Sequence, residues 1–247
     1  ANLLDIEYRH YTYDENYIEY QDWFRKTYPD ISEYNIVNFY KIYLLYELAK
    51  DYDEILYLDF DVVPITQKSF FDVWNISENG ITIMVNRNSI DTSLHKMVIS
   101  EKNFNNVSML SNRSPTAKYW NARAMLIESN YSGINDVYNT GIIGASKKQL
   151  EQLDYWGEFN QVIELMTELK NDEFSMWPDH IRHMFGWDNE TIWSYKMSIN
   201  NIIRQDLTNQ WHHVLDKWNY IPNDVQFVHV INKDFGYVKD WYEKNNL

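Results

Sequence analysis

Apolar residues recur at spacings of three and four over residues 34–50, a pattern that predicts an amphipathic helix. A short, continuous apolar run follows at residues 55–58. Such a run is typical of a strand that is buried on both faces, as in the interior of a parallel sheet. The run ends abruptly at two acidic residues, Asp59 and Asp61, and Pro64 prevents the strand from continuing.

Helical and strand-like patterns alternate along the rest of the chain. Strands are predicted at residues 81–85, 124–127, 140–143 and 226–231, and helices at residues 17–27, 147–169 and 191–203. This alternation predicts an α/β sheet with helices beside it. The sequence shows no internal repeat, low-complexity tract or linker, so we expect a single domain over residues 1–247.

Two segments depart from this alternation. A nucleotide-binding α/β fold usually opens with a strand, a turn and a helix, whereas residues 5–13 resemble a second strand. Either the chain is a fragment that lacks its first strand–helix unit, or its N-terminal unit is built differently. Residues 86–119 are polar and irregular, and they are too long for a simple connection, so they predict a lid or an inserted subdomain.

The formal net charge of −14 argues against a nucleic-acid partner, because binding to phosphate backbones needs clusters of Lys and Arg. An acidic protein that binds a phosphorylated substrate needs a local positive charge, and a divalent cation supplies one. The chain has no cysteine, which excludes disulfides, thiolate metal sites and a cysteine nucleophile.

The sequence contains no run of about 18 apolar residues, so we expect no membrane span. Its first residues lack a basic start and an apolar stretch, so we predict no signal peptide and expect a cytoplasmic protein. Aromatic residues make up 17% of the chain. They are interpreted either as half-buried core residues or as faces that line a sugar or nucleotide site.

Asp59 and Asp61 are the first candidates for chemistry. In open α/β sheets, ligands bind beyond the carboxyl ends of the strands. Two carboxylates at such a position can bind one Mg²⁺ or Mn²⁺ ion, which prefers carboxylate and water oxygens and shares phosphate oxygens with a substrate. A solvated surface pair is the alternative, but a buried strand that delivers two acids to its end needs compensation for their charge.

Residues 39–45 (FYKIYLL) and 52–63 (YDEILYLDFDVV) resemble the core of the GT-A glycosyltransferases, and most closely that of family 8, the glycogenin and bacterial galactosyltransferase group. The resemblance implies a GT-A (Rossmann-like) fold with a mixed, mostly parallel sheet flanked by helices. It also implies that Asp59 and Asp61 hold Mn²⁺ (or Mg²⁺) on the diphosphate of a nucleotide-sugar. The expected partners are a UDP- or GDP-sugar donor and a glycan or other hydroxyl acceptor, with retention of the anomeric configuration.

Asn139, Thr140 and Gly141 form the second candidate segment. An Asn-Thr-Gly sequence is a turn signal that opens a strand. It also resembles the family's Asn-Ser/Ala-Gly segment, which faces the donor sugar and the acceptor. An asparagine amide can both donate to and accept from a sugar hydroxyl, and a glycine permits close approach of the backbone.

Asp188 and Glu190 open the last predicted helix. Asp188 is interpreted either as a helix N-cap or as the acid of a segment similar to the family's Asp-Gln stretch, which lies near the anomeric carbon. Here the sequence is Asp-Asn-Glu, a departure that leaves open whether Asp188 or Glu190 takes the inner position.

Five basic or metal-binding candidates remain. A histidine on an apolar strand is usually a core residue, but His229 resembles the late histidine that completes the family's metal site, and neutral imidazole suits Mn²⁺. Lys233 is a candidate for a phosphate oxygen, although the Gly and Lys-Pro-Trp that usually follow this histidine are absent. Lys118, with Arg113 and Arg123, is either a solvated loop charge or a positive group over the diphosphate.

The combined hypothesis is a metal-dependent sugar transfer. A cation held by Asp59, Asp61 and His229 would stabilise the leaving diphosphate, and Asp188, Glu190 or Asn139 would stabilise the positively charged sugar ring. One alternative is a nucleotidyltransferase, but the chain has 7 glycines and no visible Gly-rich loop for a triphosphate. The other alternative is a non-catalytic carbohydrate-binding domain, which would not need the buried acidic pair.

Overall fold

The computed structural model describes residues 6–89, 119–173, 177, 179–183, 185–216 and 220–245. The helices in these ranges are α1 (Glu15–Thr27), α2 (Glu33–Leu48), α3 (Phe70–Val73), α4 (Ile76–Asn79), α5 (Tyr119–Glu128), α6 (Lys147–Leu153), α7 (Phe159–Asn171), α8 (Asp179–Arg182), α9 (Asn189–Ile199) and α10 (Phe235–Lys244). The strands are β1 (Glu54–Leu58), β2 (Val62–Pro64), β3 (Ile81–Arg87), β4 (Val137–Ser146), β5 (Arg204–Asp206), β6 (His213–Leu215) and β7 (Phe227–Val230).

The larger sheet has the order β1-β4-β3-β5. All ten residues of the central strand β4 are buried, and successive side chains of this strand contribute to opposite faces. Ile143 belongs to the large core that also contains α1 and α2, whereas Ile142 belongs to a second core with Phe70 and Trp211. The strand β4 therefore packs against a different core on each face of the larger sheet.

The smaller sheet has the order β2-β7-β6, with β7 antiparallel to β2 and parallel to β6. The chain passes from the larger sheet to the smaller one within residues 59–61. The Asp59 amide donates to the Gly141 carbonyl at 2.8 Å, and the Val230 amide donates to the Asp61 carbonyl at 2.8 Å. Asp59 therefore extends the pairing of β1 with β4, and Asp61 extends the pairing of β2 with β7.

The mixed α/β class is confirmed. Antiparallel pairings nevertheless outnumber parallel ones among the described strands, because β1 and β3 both run antiparallel to β4, as β2 does to β7. Only β3–β5 and β6–β7 are parallel in these ranges. The apolar run at residues 55–58 predicted a strand buried on both faces of a parallel sheet. This prediction is wrong in both respects, because β1 is antiparallel to β4 and Ile55 alone among its five residues is buried.

The helix caps explain where several predicted helices begin. Asp14 caps α1 by accepting from the Tyr17 amide, and Ser32 caps α2 by accepting from the Asn35 amide. Asp188 caps α9 by accepting from the Glu190 amide at 3.1 Å. These helices agree with the predicted segments to within a few residues at each end.

Three further sequence predictions differ from the structure. Residues 124–127 were expected to be a strand but lie in α5, and all four are buried, so their apolar run carried no helical period. The helix expected at 147–169 is interrupted between α6 and α7, where Asp154 and Glu158 adopt left-handed backbone with φ of 44° and 50°. The described part of the expected N-terminal strand, residues 6–13, forms no strand.

The lid or insertion was expected at residues 86–119, and residues 90–118 of this segment lie outside the described part of the chain. Within the part of the chain that the structure describes, no helix combines the length and the apolar composition needed to cross a membrane.

Candidate functional site

Asp59 lies at the end of β1, where its carboxylate is about a quarter exposed (24%). The Tyr57 hydroxyl donates to its Oδ1 at 2.7 Å, and the Lys41 Nζ donates to both carboxylate oxygens at 3.3 and 3.4 Å. Burial and the neighbouring Asp59 raise the pKa of Tyr57 well above its usual range, so this hydroxyl remains a donor. Asp59 is therefore held as an oriented carboxylate.

Asp61 is buried at the start of β2. The Lys233 Nζ donates to its Oδ2, and the His229 Nε2 lies 3.4 Å from its Oδ1. Burial acts to raise the pKa of the Asp61 carboxyl, but the hydrogen bonds from His229 and Lys233 outweigh burial and hold that pKa well below its usual range. Asp61 is therefore ionised at neutral pH.

His229 lies in the middle strand of the smaller sheet, opposite Val62 in the antiparallel pairing with β2. Asp59, Asp61 and His229 each offer one ligand atom, and these atoms lie within 4.8 Å of one another. Two carboxylates and one imidazole form a donor set that suits Mn²⁺ and also admits Mg²⁺ through the oxygens. The described residues thus fit a divalent cation at the junction of the two sheets.

The backbone of β4 closes one side of this group. A Cβ atom on Gly141 would lie 2.5 Å from the His229 Cε1, so only glycine allows β4 to approach the imidazole this closely. The Asn139 Oδ1 accepts from the Gly141 amide at 2.9 Å, so this side chain bonds within its own strand. Thr140 and Asn139 are buried beside the candidate metal ligands.

Glu190 contacts β4. The Thr140 amide donates to the Glu190 Oε1 at 3.0 Å, which places this carboxylate next to the Asn-Thr-Gly segment. Asp188 accepts from the Glu190 amide and from the Thr191 hydroxyl, as an N-cap does. The two acids therefore occupy different places: Asp188 caps α9, and Glu190 lies against β4.

The basic candidates divide into three groups. Lys118 and Arg113 lie outside the described residues. Arg123 is buried and donates to the carbonyls of Asn135 and Asn88 at 3.2 and 2.6 Å, so it supports the backbone rather than facing a cleft. Burial lowers its pKa to about 10. Lys233 lies at the site through its bond to Asp61, and its left-handed backbone (φ 59°) turns the chain after β7.

Sequence reasoning missed Tyr57, which donates to Asp59, and two further residues of this site. Lys41 is buried on α2 and donates to the Thr140 carbonyl at 3.2 Å as well as to Asp59. A lysine inside the apolar FYKIYLL run was the available signal, since lysines are almost never fully buried unless paired. His212 is the second: its Nε2 lies 2.9 Å from the His229 Nδ1, and nothing local in the sequence pointed to this pair.

His212 is fully buried beside His229, and their rings are 5.2 Å apart at an angle of 29°. Burial, followed by the proximity of His229, lowers the pKa of His212 to about 3. His212 is therefore neutral at physiological pH, with a proton on only one of its ring nitrogens.

A mixed α/β fold with an Asp-X-Asp pair directly after a strand of the larger sheet is the arrangement of the GT-A glycosyltransferases. The sequence profile described as "Glycosyl transferase family 8" matches residues 3–167, more than half of the 247-residue chain. The chain therefore belongs to glycosyltransferase family 8 and is a glycosyltransferase. No curated protein matches the chain.

The family match covers part of the candidate site. Asp59, Asp61 and the segment 139–141 lie inside the matched range, whereas His229 and Glu190 lie beyond it. Membership in a glycosyltransferase family favours a glycosyltransferase over both alternatives, a nucleotidyltransferase and a non-catalytic carbohydrate-binding domain.

Proposed function

We propose that this glycosyltransferase binds Mn²⁺ or Mg²⁺ through Asp59, Asp61 and His229 and transfers a sugar from a nucleotide diphosphate sugar to an acceptor hydroxyl. The observation that carries the proposal is the convergence of three ligand atoms within 4.8 Å, two from the connection between β1 and β2 and one from β7. The donor is a UDP- or GDP-sugar, the acceptor is a glycan or another hydroxyl compound, and the anomeric configuration is retained.

The need for local positive charge at a bound diphosphate supports this proposal. Each carboxylate of the acidic pair already faces one ammonium group, Lys41 at Asp59 and Lys233 at Asp61. The protein as a whole has a net charge of −14, so a diphosphate is attracted only where positive charge is concentrated. A bound divalent cation supplies Lewis-acid stabilisation of the leaving diphosphate.

The residues of the chain have separate roles in the proposed reaction. Lys233 is about half exposed and next to Asp61, so its ammonium is available to a phosphate oxygen, and Lys118 is a second candidate for that role. Glu190, bound to the Thr140 amide, presents negative charge beside the segment 139–141. That charge would stabilise the positive sugar ring, with Asn139 and the backbone at Gly141 contacting the sugar and Asp188 orienting Glu190.

A thermal-shift panel of nucleoside diphosphates and nucleotide-sugars, with and without Mn²⁺, tests the proposal. At a ligand concentration of 100 times Kd, we expect about 2.7 kcal/mol of added stability for one nucleotide class, and only with the metal. Asp61→Asn should abolish the metal-dependent part. Asp22→Asn, an exposed aspartate on α1, is the matched control and should respond like the wild type.

Two further readouts define the reaction. Release of a nucleoside diphosphate rather than pyrophosphate separates sugar transfer from nucleotidyl transfer. The anomeric proton coupling of the product, compared with that of the donor, shows retention or inversion. If no nucleotide stabilises the wild-type protein in the presence of Mn²⁺, or if Asp61→Asn responds like the wild type, the proposal is wrong.

A further inference from the structure

The smaller sheet places Asp61, His229 and His212 in a row. The middle strand β7 carries His229, Asp61 directly precedes β2 on one side, and His212 directly precedes β6 on the other. The His229 Nε2 therefore faces the Asp61 Oδ1 at 3.4 Å, while its Nδ1 faces the His212 Nε2 at 2.9 Å. Both nitrogens of His229 thus have a partner, one next to each of the two strands that flank β7.

A neutral imidazole has one N–H donor and one acceptor nitrogen, so the two partners of His229 are linked. If the Nε2 of His229 donates to Asp61, its Nδ1 must accept, and the proton between the two rings belongs to His212. If the Nε2 lone pair of His229 is given to a cation, the ring proton lies on Nδ1 and must find an acceptor. Among the described residues, the atom in that position is the His212 Nε2.

We propose that His212 is a positioning residue that sets the tautomer of His229, and that the hydrogen bond between the two rings reverses its direction when a divalent cation binds. Each ring keeps one proton. In both rings that proton is on Nε2 in the metal-free state and on Nδ1 in the metal-bound state. The Nδ1···Nε2 bond exists in both states, and the only bond given up is the one from His229 to Asp61, which the cation replaces.

His212 is suited to this role because little else constrains its tautomer. Its Nδ1 has no hydrogen-bond partner within the described part of the chain, so the bond to His229 is the one that selects where its proton lies. Its ring is nevertheless fixed in place. The His212 amide donates to the Thr208 carbonyl at 3.0 Å, and the adjacent Trp211 packs against Phe70 and Phe227.

The inference rests on the proposed metal site, and metal affinity without nucleotide tests it. His212→Phe keeps a ring but offers neither donor nor acceptor, whereas His212→Gln can accept through its carbonyl or donate through its amide. We expect Mn²⁺ affinity, measured by electron paramagnetic resonance, to fall by about 10- to 100-fold in His212→Phe. His212→Gln should stay within about threefold of the wild type because it restores the acceptor.

The neighbouring His213→Phe is the matched control. The His213 Nε2 pairs with the Tyr220 carbonyl and not with His229, so its loss should leave Mn²⁺ affinity within about twofold of the wild type. Urea unfolding of each variant separates loss of stability from loss of metal binding. A structural role alone would lower stability in His212→Phe and His212→Gln without separating their affinities.

The tautomers themselves are visible in long-range ¹H–¹⁵N spectra of the histidine rings. The spectrum of His229 should show a proton on Nε2 in the metal-free protein and on Nδ1 after saturation with Zn²⁺, a diamagnetic substitute. If wild-type protein binds Mn²⁺ through Asp61 but His212→Phe binds it equally well, or the tautomer does not change, the role of His212 is refuted while the metal site stands. Wild-type protein that binds no Mn²⁺ would overturn both proposals.

Discussion

Replacing Gly141 by alanine tests whether the close approach of β4 to His229 holds the candidate metal site together. The added Cβ would lie 2.5 Å from the His229 Cε1, 2.9 Å from its Nδ1 and 3.0 Å from the Asn139 Oδ1. Contacts between carbon atoms are favourable at about 3.5 Å, so the imidazole must move by about 1 Å. Metal–ligand distances tolerate only about 0.2 Å, so this displacement removes His229 from the site.

The cost to stability follows from overpacking. An extra methyl group in a well-packed region destabilises a protein by about 1–3 kcal/mol. Gly144→Ala, on the same strand, is the matched control, because its Cβ would lie 2.9 Å from the Phe70 Cε1 and 3.2 Å from the Ile76 Cδ1. Both variants should therefore lose a similar amount of stability, but the Gly144→Ala contacts lie away from His229.

Urea unfolding with and without Mn²⁺ at 100 times the wild-type Kd separates the two effects. Wild type and Gly144→Ala should gain about 2.7 kcal/mol from the metal, and Gly141→Ala should gain little. The reasoning is refuted if Gly141→Ala keeps the full gain from the metal, or if Gly144→Ala loses it to the same extent.

Three other changes have defined outcomes. Lys233→Met removes the ammonium that donates to Asp61, so calorimetry should show tighter binding of Mn²⁺ alone but weaker binding of a nucleoside diphosphate; unchanged affinities would contradict this role. Lys41→Met deprives Asp59 of a buried donor and should lower the free energy of unfolding by about 1–3 kcal/mol in urea, whereas a neutral result would show that water replaces the ammonium. Burial raises the pKa of Tyr40 to about 12, above its ordinary value of 10.0. The unfolded chain therefore releases this proton first, so stability is lost as the pH rises from 10 to 12; Tyr40→Phe should show a smaller loss in alkaline unfolding.

Sequence patterns were most informative where local chemistry determines the structure. The apolar run at residues 55–58 followed by Asp59 predicted the end of β1, and Asp188 before an amphipathic run predicted the start of α9. The segment 124–127 was assigned to a strand because a fully buried helix has no polar face to reveal its period. The break between α6 and α7 contains left-handed backbone at Asp154 and also Gly157, and this glycine was the available sequence signal.

The candidate site shows the same limit. Asp59 and Asp61 are close in sequence and were identified together, whereas the contact of Lys41 with Asp59 and the pair of His212 with His229 exist only after the chain has folded. His212 and His229 meet because β6 and β7 are adjacent in the smaller sheet. A single sequence does not show which strands are adjacent. His212, which would act through His229, therefore could not be identified from the sequence.

Asp59 and Asp61 are separated by one residue, yet each is attached to a different sheet, the first through the Gly141 carbonyl and the second through the Val230 amide. A cation bound by both carboxylates would link the two sheets at the point where the chain passes from one to the other. Fraying of either sheet at this edge would pull the ligands apart, so the occupancy of the site and the local order of both sheets would depend on each other. The candidate active site would then be most rigid when the cation is bound, which is the state that binds the sugar donor.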